Sequence, residues 1–288
     1  MTPGPQPTAG GVARDAGTVA VVTALSRVVG FARWLVFAWA VGATGVGTVY
    51  QSVNTVPNIV YEIAAGGILA AVVVPLVAGR LGSAEGERAD EVASALLTRT
   101  VAVLVPLAVL VALAAPFASR ALLGDLVVDG AVALGTRLLL VFSPQVLLYG
   151  VGIVLSGVLQ AHRRFLAAAL APLLSSIVVI AAYLAYGALT NGHDEPGDTA
   201  RNVLAWGTTA GVVVLSLPLL LPVHRAGVRL RPRFDFPDGV AARARRLAGA
   251  GMVGLLAQQL AVLTTIGLAN GRGDVGAVNV YNYVQAVY

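Results

Sequence analysis

The sequence predicts an all-α, polytopic membrane protein with about eight transmembrane helices, and three observations carry that prediction. The 288 residues are 57% hydrophobic and only 11% charged, where a soluble domain carries about 25% charged residues. Mean hydropathy is +0.82, too apolar for a chain that stays dispersed in water. The apolar residues also fall in runs long enough to cross a bilayer, about 20 residues per helix. These features exclude a soluble enzyme, a DNA-binding module and a disordered protein.

Residues 1–16 form a Pro/Gly/Ala/Thr-rich tail, expected to be disordered and cytoplasmic. It is not a signal peptide, because the apolar run that follows is too long and holds two arginines. The first span covers Gly17 to Val41, and a glycine-rich turn leads to the second, Thr48 to Ala78. Pro57 and the pair Gly66-Gly67 predict a kink or break in that second span. Span three covers Ala93 to Pro116, span four Ala131 to Gln160 with Pro144 inside, span five Phe165 to Leu189 and span six Val203 to Val223. His162, Arg163 and Arg164 make the turn between spans four and five, and a polar loop with His193, Asp194 and Glu195 follows span five. Residues 17–223 thus read as a six-helix lobe. Residues 224–246 read as a basic cytoplasmic connector suited to anionic lipid head groups. Residues 247–288 hold span seven, Leu247 to Asn270, and an eighth from Val275 that the chain enters without leaving.

Arginine placement sets the predicted orientation. All 19 basic residues are arginine. With the N-terminus inside, Arg14, Arg80, Arg88, Arg99, Arg163, Arg164, Arg225, Arg229, Arg231, Arg233, Arg243, Arg245 and Arg246 are cytoplasmic. Arg120, Arg201 and Arg272 alone lie outside, an asymmetry that the positive-inside rule reads as a cytoplasmic N-terminus. The same placement explains the pI near 10.0 without a nucleic-acid partner.

No catalytic constellation appears. The chain has no cysteine, its three histidines fall in loops without metal-ligand spacing, and no P-loop pattern is present. Neither cofactor nor metal is expected, and the chain does not read as an enzyme.

The informative residues are polar groups within spans. Arg27 and Arg33 lie in the first span, where an arginine at the bilayer centre costs about 2.5–3.5 kcal/mol on insertion scales. They point about 120° apart and stand about 9 Å apart along the helix, and their long side chains are expected to converge on one wide cavity. Ser26 and Gly30 form a small-xxx-small pair that admits a neighbouring helix. In the second span Asn54, Asn58 and Glu62 repeat every four residues as one polar stripe. Glu62 is the only deep carboxylate, expected to pair with Arg27 or Arg33. Gln258, Gln259, Asn282 and Gln285 add uncharged polar groups to the last two spans, and Arg137 reads as a snorkelling end residue. A positive intramembrane cavity suits an anionic substrate such as a phosphate-bearing head group.

At these residues the sequence resembles a known family. Ser26-Arg27-Val28-Val29-Gly30-Phe31-Ala32-Arg33 is similar to the first-helix signature of the MurJ/MviN lipid II flippases. Val56-Pro57-Asn58 with the later Val74-Pro75-Leu76 resembles that family's second helix. Ser143-Pro144-Gln145 through Tyr149-Gly150, Ala171-Pro172 and Leu230-Arg231-Pro232 continue the match in order. The resemblance implies two six-helix lobes around a central cavity in the bacterial plasma membrane. It implies movement of an undecaprenyl-linked, anionic peptidoglycan precursor from inner to outer leaflet by alternating access. Membrane lipids and cell-wall synthesis proteins are the implied partners, and Ser26, Arg27, Arg33, Asn58, Glu62 and Gln285 the substrate-binding residues. Thr48, Tyr61, Gly66 and Gln285 stand where many members carry charged residues, so this cavity is the less charged. An exporter of another lipid-linked oligosaccharide and a non-transporting scaffold for cell-wall synthesis are the competing readings. The chain reads as an amino-terminal portion, and one lobe alone is expected to leave the cavity unenclosed.

Overall fold

The computed structural model of the protein describes residues 9–42, 45–63, 73–81, 86–124, 126, 128–190, 196–235 and 240–287. Among the described residues regular structure is helical throughout: α1 (Ala9–Ala40), α2 (Val46–Ile63), α3 (Val74–Leu81), α4 (Gly86–Leu123), α5 (Ala131–Ala161), α6 (Phe165–Thr190), α7 (Asp198–Ser216), α8 (Leu220–Arg225), α9 (Val240–Arg272) and α10 (Ala277–Val287). Among the described residues five stretches are long and apolar enough to cross a membrane: Ala16–Ala40, Ala89–Leu123, Ala131–Ala161, Phe165–Thr190 and Asp198–Arg225. They correspond to the first, third, fourth, fifth and sixth expected spans. The second expected span holds α2 and α3, and the proposed break at Gly66-Gly67 lies outside the described residues. So do residues 1–8 of the expected tail, and His193, Asp194 and Glu195.

Several boundaries differ from the sequence reading: α4 begins at Gly86 rather than Ala93 and runs on to Leu123 rather than Pro116, and α7 begins at Asp198 rather than Val203, since the charged residues flanking the apolar runs continue the helices. Helix α1 begins at Ala9, inside the expected tail, because the prolines that block a helix stop at Pro7. Helix α9 begins at Val240 rather than Leu247, because the alanine- and arginine-rich run after Pro237 is strongly helix-forming. Proline also shapes the sixth span. Pro218 removes a backbone donor, and a 3-10 turn at Leu217–Leu219 joins α7 to α8.

The turn after α5 is a tight reversal. Arg163 has φ 58, a left-handed conformation usually left to glycine. The amide of Arg163 donates to Gln160 O at 3.0 Å and that of Arg164 to Leu159 O at 2.8 Å, which satisfies two carbonyls of the last turn.

Helix α5 is central and packs on α2, α4 and α7. One core cluster is aromatic: Tyr50 meets Phe37 at 5.3 Å, Phe142 at 5.7 Å and Tyr183 at 6.1 Å between ring centroids. A second cluster, towards the other end, is aliphatic and includes Leu76, Val92, Leu155, Val158 and Val223. Helices α6 and α7 approach closely where Gly207 faces Ala182 and Gly211 faces Val179; a Cβ at either glycine would collide with its neighbour. Helix α1 and the later half of α4 expose Leu25, Phe31, Trp39, Leu113 and Phe117, an apolar exterior matched to lipid.

Residues 228–234 are extended, and they run along the polar start of α4. The amides of Arg229, Arg231 and Arg233 donate to Asp90 Oδ2 at 3.0 Å, Ser94 Oγ at 3.1 Å and Thr98 Oγ1 at 3.0 Å. Alternate amides of an extended chain face one way at about 6.6–6.8 Å intervals, and every fourth helical residue recurs at about 6 Å, so the two repeats match. Val228 is buried and Leu230 packs against the aliphatic cluster, while Arg229 and Arg231 are exposed. Arg233 also pairs with Glu91 at 2.6 Å, and Arg99 Nε donates to Phe234 O at 2.9 Å.

Candidate functional site

A cavity of about 760 Å³ opens between α1, α2, α5, α6, α7, α9 and α10. Helices α9 and α10 add Gln258, Gln259, Asn282 and Gln285 to its lining. On α1 the lining residues are Ser26, Gly30, Arg33, Trp34 and Phe37, one helical stripe. Arg27 is exposed and absent from that lining, because it stands about 120° around the helix from Arg33 and its side chain does not converge. On α2 the polar stripe turns inward as Gln51, Asn54, Asn58 and Glu62, and α10 contributes Asn282 and Gln285. Of the residues expected to bind substrate, the fold therefore gathers Ser26, Arg33, Asn58, Glu62 and Gln285 and leaves Arg27 apart.

The lining is held by hydrogen bonds between neutral groups. Thr208 Oγ1 donates to Leu204 O at 2.7 Å, so it accepts from Tyr50 Oη at 2.9 Å, and Tyr50 in turn accepts from Tyr183 Oη at 3.0 Å. Gln145 Nε2 donates to Thr209 Oγ1 at 2.8 Å, fixing α5 against α7. Tyr149 Oη donates to Asn58 Oδ1 at 3.2 Å, which engages the carbonyl of that amide and leaves its NH₂ as the donor. Tyr61 packs against Tyr149 with centroids 4.9 Å apart and the rings tilted by 49°.

Glu62 does not pair with an arginine. Its Oε2 accepts from Gln259 Nε2 on α9 at 2.9 Å, and among the described residues no cation lies within ion-pair distance. The reason is placement: Arg27 faces away and Arg33 lies deeper in the cavity. Arg137 forms a pair, with exposed Asp198 at 2.8 Å, instead of merely snorkelling.

The cavity is closed near the start of α2. Asn270 Nδ2 on α9 donates to Ser52 Oγ at 2.9 Å and to Leu122 O at 2.7 Å, and Asn279 Nδ2 on α10 donates to Thr48 Oγ1 at 3.2 Å. Those contacts join the last two helices to α2 and α4.

Sequence reasoning missed the tyrosines, Trp34 and the serines Ser175 and Ser176 of the lining. Tyrosine in an apolar helix carries a hydroxyl that must find a partner, and the adjacent pairs Ser175-Ser176 and Thr208-Thr209 were the available signal. Among the described residues no group of three His, Asp or Glu side chains is placed to hold a metal.

Comparison with known proteins adds a family. The profile of the family described as "Lipid II flippase MurJ" matches residues 37–288. A Rhizobium tropici protein named "Probable lipid II flippase MurJ" is 28% identical over 275 residues, covering 94% of this chain and 50% of its own length. A Synechocystis sp. protein of the same name is 32% identical over 236 residues, covering 78% of this chain and 42% of its own. The chain thus spans about half the length of the curated relatives it matches. The solved structure "Lipid II flippase MurJ, inward closed conformation" shares the fold with TM-score 0.72 at 17% identity, over 94% of this chain and 54% of that one.

Proposed function

We propose, because the chain belongs to the lipid II flippase MurJ family, that it forms the first lobe and the start of the second in a flippase for undecaprenyl-linked peptidoglycan precursor. It is a multi-pass membrane protein. The transported lipid moves from inner to outer leaflet of the bacterial plasma membrane by alternating access. The transmembrane helices, about eight, are the five long apolar stretches together with the α2–α3 region, α9 and, as the start of the eighth, α10, with the N-terminus cytoplasmic. Its partners are the anionic lipid-linked precursor, membrane lipids and cell-wall synthesis proteins.

One observation carries this reading: a polar cavity holding Arg33 lies among helices whose outer faces are apolar. A guanidinium kept in such a cavity attracts an anionic head group while the polyprenyl tail remains in lipid. Ser26, Asn58 and Gln285 supply neutral hydrogen bonds around it.

Complementation tests the reading. In a full-length protein, Arg33→Ala should fail to support a flippase-depleted strain although the variant reaches the membrane. Arg33→Lys should retain part of the function, since charge survives without the bidentate fork. Arg27→Ala, outside the cavity lining, serves as the contrast and should complement. Full complementation by Arg33→Ala overturns the reading. Orientation is tested in this cysteine-free chain by cysteines at Ser83 and Thr199: an impermeant thiol reagent should label intact cells at 199 and not at 83.

A further inference from the structure

We infer that Glu62 and Gln259 form a subsite for a primary ammonium group on the transported head group; the inference rests on the cavity being the substrate-binding site proposed above. Glu62 lines the cavity and is exposed to it. Its carboxylate accepts one hydrogen bond, from Gln259, and no described cation compensates its charge. Gln259 is 3% exposed, and its Oε1 is buried without a partner. Its amide orientation follows from chemistry: a flip would set a carbonyl oxygen against the carboxylate. The corner therefore presents a carboxylate to the cavity, backed by Gln259, whose own carbonyl is buried and without a partner. A primary ammonium has three donors and no acceptor, the complementary set. Tyr61, tilted against Tyr149, adds aromatic surface of the kind that attracts cations. A bare divalent cation fits less well, since hard cations take six or more oxygens and this corner offers few.

Position along the helices separates the two charges. Phe37 of α1 packs against Tyr50 of α2. Arg33 lies one turn from Phe37, about 6 Å, and Glu62 lies twelve residues from Tyr50, about 18 Å. The two charges therefore line different stretches of the cavity, which is bipolar: the guanidinium of Arg33 and the carboxylate of Glu62 both belong to its lining. It fits a head group that carries both an anion and an amine.

The test uses the purified protein in detergent and an undecaprenyl-linked disaccharide-peptide with one free primary amine, compared with the same lipid after N-acetylation. Acetylation should weaken binding to the parent about tenfold, the size of a lost hydrogen-bonded charge contact. In Glu62→Gln, which can still bond Gln259, the two lipids should bind equally. Arg33→Ala should weaken both forms alike. Equal binding of both lipids by the parent overturns the ammonium subsite and leaves the flippase reading intact; that comparison needs no variant to fold. Binding of neither lipid by the parent overturns the flippase reading, and the subsite with it. A rise in melting temperature on adding sodium chloride in place of choline chloride, present in the parent and absent in Glu62→Gln, would assign the corner to a metal ion and overturn the proposal.

Discussion

Replacing Asn270 by leucine removes the contacts that close the cavity near the start of α2. The side chain is 4% exposed and donates to Ser52 Oγ and Leu122 O. Interhelical hydrogen bonds in membranes average about 0.6 kcal/mol and reach about 1.7 kcal/mol. The two partners are unequal. Ser52 keeps its own donation to Thr48 O, so losing Asn270 costs it only an acceptor role. Leu122 lies in the last turn of α4, where carbonyls lack an intrahelical donor, and Asn270 supplies one. Stranding that carbonyl adds about 1–3 kcal/mol. Asn270→Leu should therefore lose about 2–3 kcal/mol, and Ser52→Ala about 1 kcal/mol. The assay is reversible unfolding in mixed micelles titrated with dodecyl sulfate, for both single variants and the double variant. The double-mutant cycle should give a coupling of about 0.6–1.7 kcal/mol. A coupling within about 0.3 kcal/mol of zero, the additivity expected of distant sites, refutes the reasoning.

Other outcomes follow from the packing and the hydrogen bonds. Gly207→Ala should lower stability in the same assay by about 1–3 kcal/mol, because the new methyl meets Ala182, which has no rotamer to yield. Gly150→Ala should cost less, since it meets the flexible end of Leu104, and a reversed order would contradict the argument. Tyr149→Phe should leave the fold intact and weaken binding of the lipid-linked precursor about fivefold by freeing the Asn58 amide; an unchanged affinity counts against that role. Asp90→Ala combined with Ser94→Ala should speed tryptic cleavage after Arg229 and Arg233 about tenfold by loosening the extended segment (Pro232 protects the bond after Arg231), and unchanged digestion would show that the bonds do not hold it.

The helical fold was legible because its signal is local. Runs of about 20 apolar residues need no tertiary information, and the 3.6-residue repeat places Asn54, Asn58 and Glu62 on one wall. The same repeat separates Arg27 from Arg33, and only side-chain length suggested that they would meet. The partner of Glu62 was not legible, because Gln259 lies 197 residues away on α9 and no periodicity encodes that contact. Residues 228–234 carried an unread signal. Val228, Leu230, Pro232 and Phe234 alternate with arginines at period two, a strand pattern within a stretch that reads as a basic loop by composition. The tyrosine network was hidden for another reason: buried tyrosine passes for an apolar residue until its hydroxyl is placed.

The fastening of residues 228–234 to α4 shortens the leash between α8 and α9. A link held only at Arg225 would let Val240 start α9 anywhere within about 50 Å. With the chain pinned as far as Phe234, only residues 235–239 separate the last fixed point from α9, a reach of at most about 20 Å. Any swing of α9 about this link then pivots beside Arg99, the fourteenth residue of α4, rather than at the end of α8. Helix α4 becomes the mechanical partner of α9, and a tilt of one pulls on the other through Asp90, Ser94 and Thr98.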